Sequence, residues 1–124
     1  MVGKMRRNDV EKDLQNALDN GHNVWAIGDV HGFSVTLEAL LDQCELSMDD
    51  RVVLLGDLID RGPDRFDVVR IARCDPRIHC AKGNHEDMMV NGFNLEILQN
   101  PDSDMRYWLY NGGLATVASY VRDF

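Results

Sequence analysis

Three short apolar runs, each closed by a glycine-flanked polar cluster, constrain this chain more than any other feature. Val24-Trp25-Ala26-Ile27 leads into Gly28-Asp29-Val30-His31-Gly32. Arg51-Val52-Val53-Leu54-Leu55 leads into Gly56-Asp57-Leu58-Ile59-Asp60-Arg61-Gly62. Arg77-Ile78-His79-Cys80-Ala81-Lys82, a weaker run, leads into Gly83-Asn84-His85-Glu86. Short apolar runs bounded by glycine read as buried strands. Strands separated by helical segments imply an α/β fold with parallel pairing. Ligands of open α/β sheets collect at the carboxyl ends of the strands. All three polar clusters follow such ends, so the fold is expected to bring them to one sheet edge.

The intervening segments fit helices. A first helix is expected over Asp9 to Leu18, with Asn8 or Asp9 as N-cap and Asn20-Gly21 as stop. Ser34 is expected to cap a second, with Leu37, Leu40 and Leu41 inward. Glu38 lies four residues on, so no strict capping box forms there. Gly62-Pro63-Asp64 is a turn with Pro63 at an early helical position. Val68, Val69, Ile71 and Ala72 form an apolar helical stripe. After Gly83 the chain reads as helical, with breaks at Asn91-Gly92, Asn100-Pro101 and Asn111-Gly112-Gly113, and a last helix from Leu114 to Val121.

A chain of 124 residues suggests a single domain spanning residues 1–124. Its net charge of −8 argues against non-specific binding to nucleic acid or anionic membranes. It does not argue against one phosphorylated substrate, because bound cations and a few arginines reverse the sign locally. Cys44, Cys74 and Cys80 are odd in number and lack CxxC spacing. Free thiols in a reducing cytosol follow, and a structural zinc site does not. The basic N-terminus has no apolar stretch after it, so no secretory signal is expected and the cytoplasm is the expected location.

The polar clusters read as a two-metal, phosphoester-cleaving centre. Asp29 and His31 lie one residue apart and can reach one cation. Asp57 reaches the same cation from the neighbouring strand end, and its second oxygen can bridge to another. Asn84 offers a neutral oxygen to that second cation. A mixed oxygen and imidazole set suits manganese, iron or zinc better than calcium. Two cations about 3.5–4 Å apart acidify a water and hold phosphate oxygens. His85 is placed to protonate the leaving oxygen. Asp60 is the carboxylate expected to orient its ring. Arg61 offers a fork for two phosphate oxygens, with Asn84 and His85 as further substrate contacts. Taken singly, these residues are ordinary turn chemistry. At roughly 5% usage per residue type, however, even one four-position match arises about once per thousand chains of this length.

The three clusters, with Asn84-His85-Glu86-Asp87-Met88-Met89 and Trp108-Leu109-Tyr110-Asn111-Gly112-Gly113, resemble the metallophosphoesterases of the phosphoprotein phosphatase superfamily. The lambda-type bacterial and phage serine/threonine phosphatases are the most similar branch, over about residues 22 to 114. The resemblance implies a calcineurin-like αββα sandwich. It implies two divalent metal ions, usually manganese, with Asp29, His31 and Asp57 at the first and Asp57 and Asn84 at the second. It implies His85 as acid, Asp60 as its orienting group and Arg61 on phosphate. The family adds two later histidine ligands and a second arginine that have no match here. His22 and His79, the only other histidines, are not expected to reach the metals. The chain is therefore expected to be the N-terminal portion of such a domain, with a half-built second metal position and weak turnover alone.

Without the second half, one sheet face is expected to be open, and self-association through it follows. Tyr107, Trp108, Leu109 and Tyr120 are expected to cover it in part, by core packing. Three readings stand at this point. One is a phosphatase acting on phosphoproteins or small phosphoesters. Another is a hydrolase of dinucleoside polyphosphates. The last is a non-catalytic module that binds a metal or phosphate.

Overall fold

A computed structural model of the chain describes residues 7–93 and 104–122. The elements in order are α1 (Asn8–Asp19), β1 (Val24–Ile27), α2 (Ser34–Gln43), β2 (Arg51–Leu54), α3 (Arg65–Cys74), β3 (Ile78–Cys80), α4 (Asn84–Gly92), α5 (Asp104–Trp108) and α6 (Leu114–Arg122). The expected break at Asn100-Pro101 lies outside the described residues.

The strands form one parallel sheet in the order β1-β2-β3. Val52 faces Trp25 and Ile78 across the sheet, and Leu54 faces Ile27 and Cys80. Alternation along a strand sends Val52 and Leu54 to one face and Arg51 and Val53 to the other. The first face holds the core. Val52, Leu54 and Val68 are fully buried, joined by Leu37, Leu58, Ile59 and Ile78, with Val69, Ile71 and Ala72 of α3 against them. The α/β architecture is thus the one expected from the sequence.

The opposite face carries α1, through a polar clasp. Asp13 of α1 accepts from Arg51 Nε at 2.7 Å, and His79 Nε2 lies 2.7 Å from the same Oδ2. These partners hold the Asp13 carboxyl down at about 2. The face expected to be open is therefore partly covered, although Ala26 and Leu55 at its far end remain exposed. Asp50 closes the edge by accepting from the amides of Asn23 and Ser47, which lower its carboxyl below the usual range.

Several local expectations need correction. The N-cap of α1 is Arg7 rather than Asn8 or Asp9. Phe33 is the N-cap of α2, so Ser34 is its first helical residue and makes no capping bond. Helix α3 begins at Arg65, which leaves Pro63 in the preceding turn. Strand β1 is not buried: it is a sheet edge, and Trp25 is 42% exposed. Leu40 turns outward. Trp108 and Tyr120 pack over the helices, Trp108 edge-on to Phe93 after α4 and Tyr120 edge-on to Phe66 of α3, while Tyr107 is exposed.

Candidate metal centre and acid dyad

The three polar loops meet because backbone bonds stitch them together. His31 N donates to Asp57 O and Gly32 N to Leu58 O, both at 2.8 Å. Gly62 N returns to His31 O, and Asp64 N to Gly32 O, also at 2.8 Å. The close approach demands glycine on both sides. A Cβ on Gly62 would strike the His31 carbonyl, and one on Gly83 would strike the Asp57 carboxylate. Among the described residues, six non-glycine residues have positive φ, and five of them are here: Asp29, His31, Asp57, Asp60 and Arg61. Asp and His tolerate this region better than most residues, Arg less so. Such conformations persist where surrounding bonds over-determine them, and they concentrate at functional sites.

Asp29, His31 and Asp57 each present one ligand atom, all within 4.8 Å of one another. Asp29 is exposed, and the other two are half-buried. His31 Nδ1 lies 2.9 Å from the Ile59 carbonyl. That contact assigns the proton to Nδ1 and leaves Nε2 as the ligand atom, the usual arrangement behind a metal-binding imidazole. One polar atom of the Asn84 amide faces both Asp57 oxygens, at 3.1 and 2.9 Å. As nitrogen it donates to them; as oxygen it forms an all-acceptor pair that a shared cation would satisfy. The donors therefore fit a divalent cation at the first position and offer two ligands at the second.

His85 and Asp60 form a buried pair beside this cluster. His85 Nδ1 is 2.7 Å from Asp60 Oδ2, with His85 4% and Asp60 0% exposed. The His85 ring stands edge-on to His31, centroids 4.7 Å apart. The His85 amide also donates to Asp57 Oδ1 at 3.0 Å. Glu86 binds the second loop to α4 by accepting from Leu58 N and Gly83 N, the latter at 3.3 Å. This is half a capping box, because glycine has no side chain for the other half. Arg61 is exposed at the rim. The seven expected residues are thus drawn to one sheet edge. His79 instead pairs with Asp13, and His22 Nε2 lies 4.0 Å from Asp49.

Three contributors escaped sequence reasoning. Thr116, Trp108 and Glu86 all hold the loops in place; Trp108 and Glu86 stand in segments that drew attention, but neither was given this role, and Thr116 stands outside them. Trp108 is 1% exposed, as core packing requires, and its Nε1 also donates to Asp60.

The profile of the calcineurin-like phosphoesterases matches residues 22–122. The chain belongs to that family. It is 35% identical over 95 residues to serine/threonine-protein phosphatase 1 of Salmonella typhimurium, covering 76% of this chain and 40% of that protein. It is 37% identical over 98 residues to serine/threonine-protein phosphatase 2 of Escherichia coli, covering 76% and 41%. A symmetrical bis(5'-nucleosyl)-tetraphosphatase of Erwinia tasmaniensis is 38% identical over 77 residues, covering 61% and 26%. The chain spans about two-fifths of the length of the two phosphatases. Family members of this kind bind divalent metals, and the Asp29, His31 and Asp57 group is the matching feature here. Among the described residues, no helix is long and apolar enough to cross a membrane.

Proposed function

We propose that this chain carries the first metal position, the acid dyad and a phosphate contact of a phosphomonoester hydrolase of the serine/threonine protein phosphatase type. The His85–Asp60 pair, buried beside the Asp29, His31 and Asp57 donors, carries this reading. Asp29, His31 and Asp57 would hold one divalent cation, and Asp57 with Asn84 a second. When bound, the two supply Lewis acidity and an activated water at neutral pH. Manganese, iron and zinc all suit the donor set, with manganese first.

His85 Nδ1 is engaged by Asp60, so Nε2 is the atom that delivers a proton to the leaving oxygen. Asp60 holds the ring in that tautomer and stabilises its charged form. Arg61, at the exposed rim, grips phosphate oxygens with a planar fork, and the exposed Asn84, against Asp57, is a further substrate contact. The second position has two donors among the described residues, so turnover by the 124-residue chain is weak. The cytoplasm is the compartment that suits the three free cysteines.

Dinucleoside polyphosphates are the second substrate reading, favoured by the likeness to the tetraphosphatase of Erwinia tasmaniensis. Phosphopeptide, p-nitrophenyl phosphate and diadenosine tetraphosphate, assayed side by side with manganese, separate the two. His85→Ala is expected to lower the rate on the preferred substrate about 10²–10⁴-fold. Hydrolysis that survives this substitution unchanged overturns the assignment.

A further inference from the structure

Asp60 is held by more than His85. Thr116 Oγ1 accepts from the Asp60 amide at 2.9 Å and donates to Asp60 Oδ1 at 2.6 Å. One hydroxyl therefore grips the aspartate at backbone and side chain together. This closed loop opposes rotation about χ1 and holds the residue at φ 68°. Trp108 Nε1 closes the carboxylate from another side, 2.9 Å from Oδ2 and 3.1 Å from Oδ1. Thr116 is 3% exposed and Trp108 1%, so water does not compete for these bonds.

We propose that Trp108 and Thr116 are positioning residues of the hydrolytic centre, which fix the Asp60 carboxylate so that His85 has one acceptor in one direction. The proposal rests on the phosphoesterase reading above. It also accounts for the glycine pair between the two residues. Gly112 has φ 112°, and a Cβ there would come within 3.2 Å of Asp60 Cβ and within 3.0 Å of Arg61 N. A Cβ on Gly113 would enter the Trp108 indole, about 2.5 Å from two ring carbons. The kink at residues 111–113 therefore brings both donors against Asp60, and larger residues would push them away.

Nitrogen-15 NMR of the whole chain without metal tests this. Thr116→Val removes the hydroxyl and keeps the shape. It is expected to speed exchange of the His85 Nδ1–H at least tenfold, with the Val52 and Leu54 amides unchanged. Thr116→Ser is expected to restore the exchange rate to within twofold. Trp108→Phe, which loses the indole N–H, is expected to act like the valine variant, and decides alone if that variant does not fold. An unchanged His85 proton in a folded variant overturns the proposal. So does a serine variant that matches the valine one, or equal loss of protection in the sheet. The readout needs no substrate. Hydrolysis unchanged by His85→Ala, together with the expected exchange pattern, would overturn the functional reading and leave the positioning role standing.

Discussion

Gly83 shows how tightly single residues are specified at this site. A methyl group there would strike the Asp57 carboxylate and amide, neither of which is the loose end of a long side chain. Gly83→Ala is expected to lower stability by about 1–3 kcal/mol, as overpacking does, and to weaken manganese binding; urea unfolding and calorimetry measure the two effects. Asp57→Asn removes the charge of the carboxylate proposed to serve both metal positions and should weaken manganese binding at least tenfold, read by the same calorimetry. His85, Asp60 and Asp57 are legible in the sequence because each stands within two residues of a glycine in a polar cluster that closes an apolar run. Thr116 is not legible. It lies 56 residues from Asp60, inside an ordinary amphipathic helix, and its partner is fixed only by tertiary packing. Ser34 misleads in the opposite way, because a serine before a helix suggests a cap where the chain already has helical geometry.

Helix α1 is attached largely by charge. Its clasp is Asp13 with Arg51 and His79, and only Ala17 of the helix is buried. The Asp13 carboxyl, at about 2, lies below its ordinary value of 3.8. The clasp therefore contributes in full above about pH 4, and its contribution is lost as pH falls from there toward 2. Asp13 is about a third exposed, so solvent screening keeps the effect near 0.5–1 kcal/mol. Urea unfolding at pH 5 and pH 3 should show a smaller pH difference for Asp13→Asn than for the wild type. The sheet and its order of elements follow from hydrophobic runs and spacing. The placement of α1 does not, because an aspartate on a polar helix face carries no signal of its partner.

At the scale of the molecule, the metal loops occupy one sheet edge, while an apolar groove of about 580 Å³ opens among the helices. Leu58, Ile59, Met89 and Val117 line it, together with Trp108 and Thr116. The donor count predicts about one tight manganese site per chain by calorimetry, and two tight sites would contradict it. Saturation at about 100 times Kd should add near 2.7 kcal/mol to stability, seen as a rise in Tm. The left-handed loops add a further consequence. Asp29 sits at φ 53° in the cluster it forms with Asp57, so the loop geometry holds two carboxylates close together wherever no cation lies between them. Asn tolerates that backbone and lacks the charge. Metal-free Asp29→Asn should therefore melt above the wild type, and the order should reverse when manganese is added. The native aspartate is then a choice that makes sense only for the loaded protein, a trade of robustness for function set by the ion rather than by the chain alone.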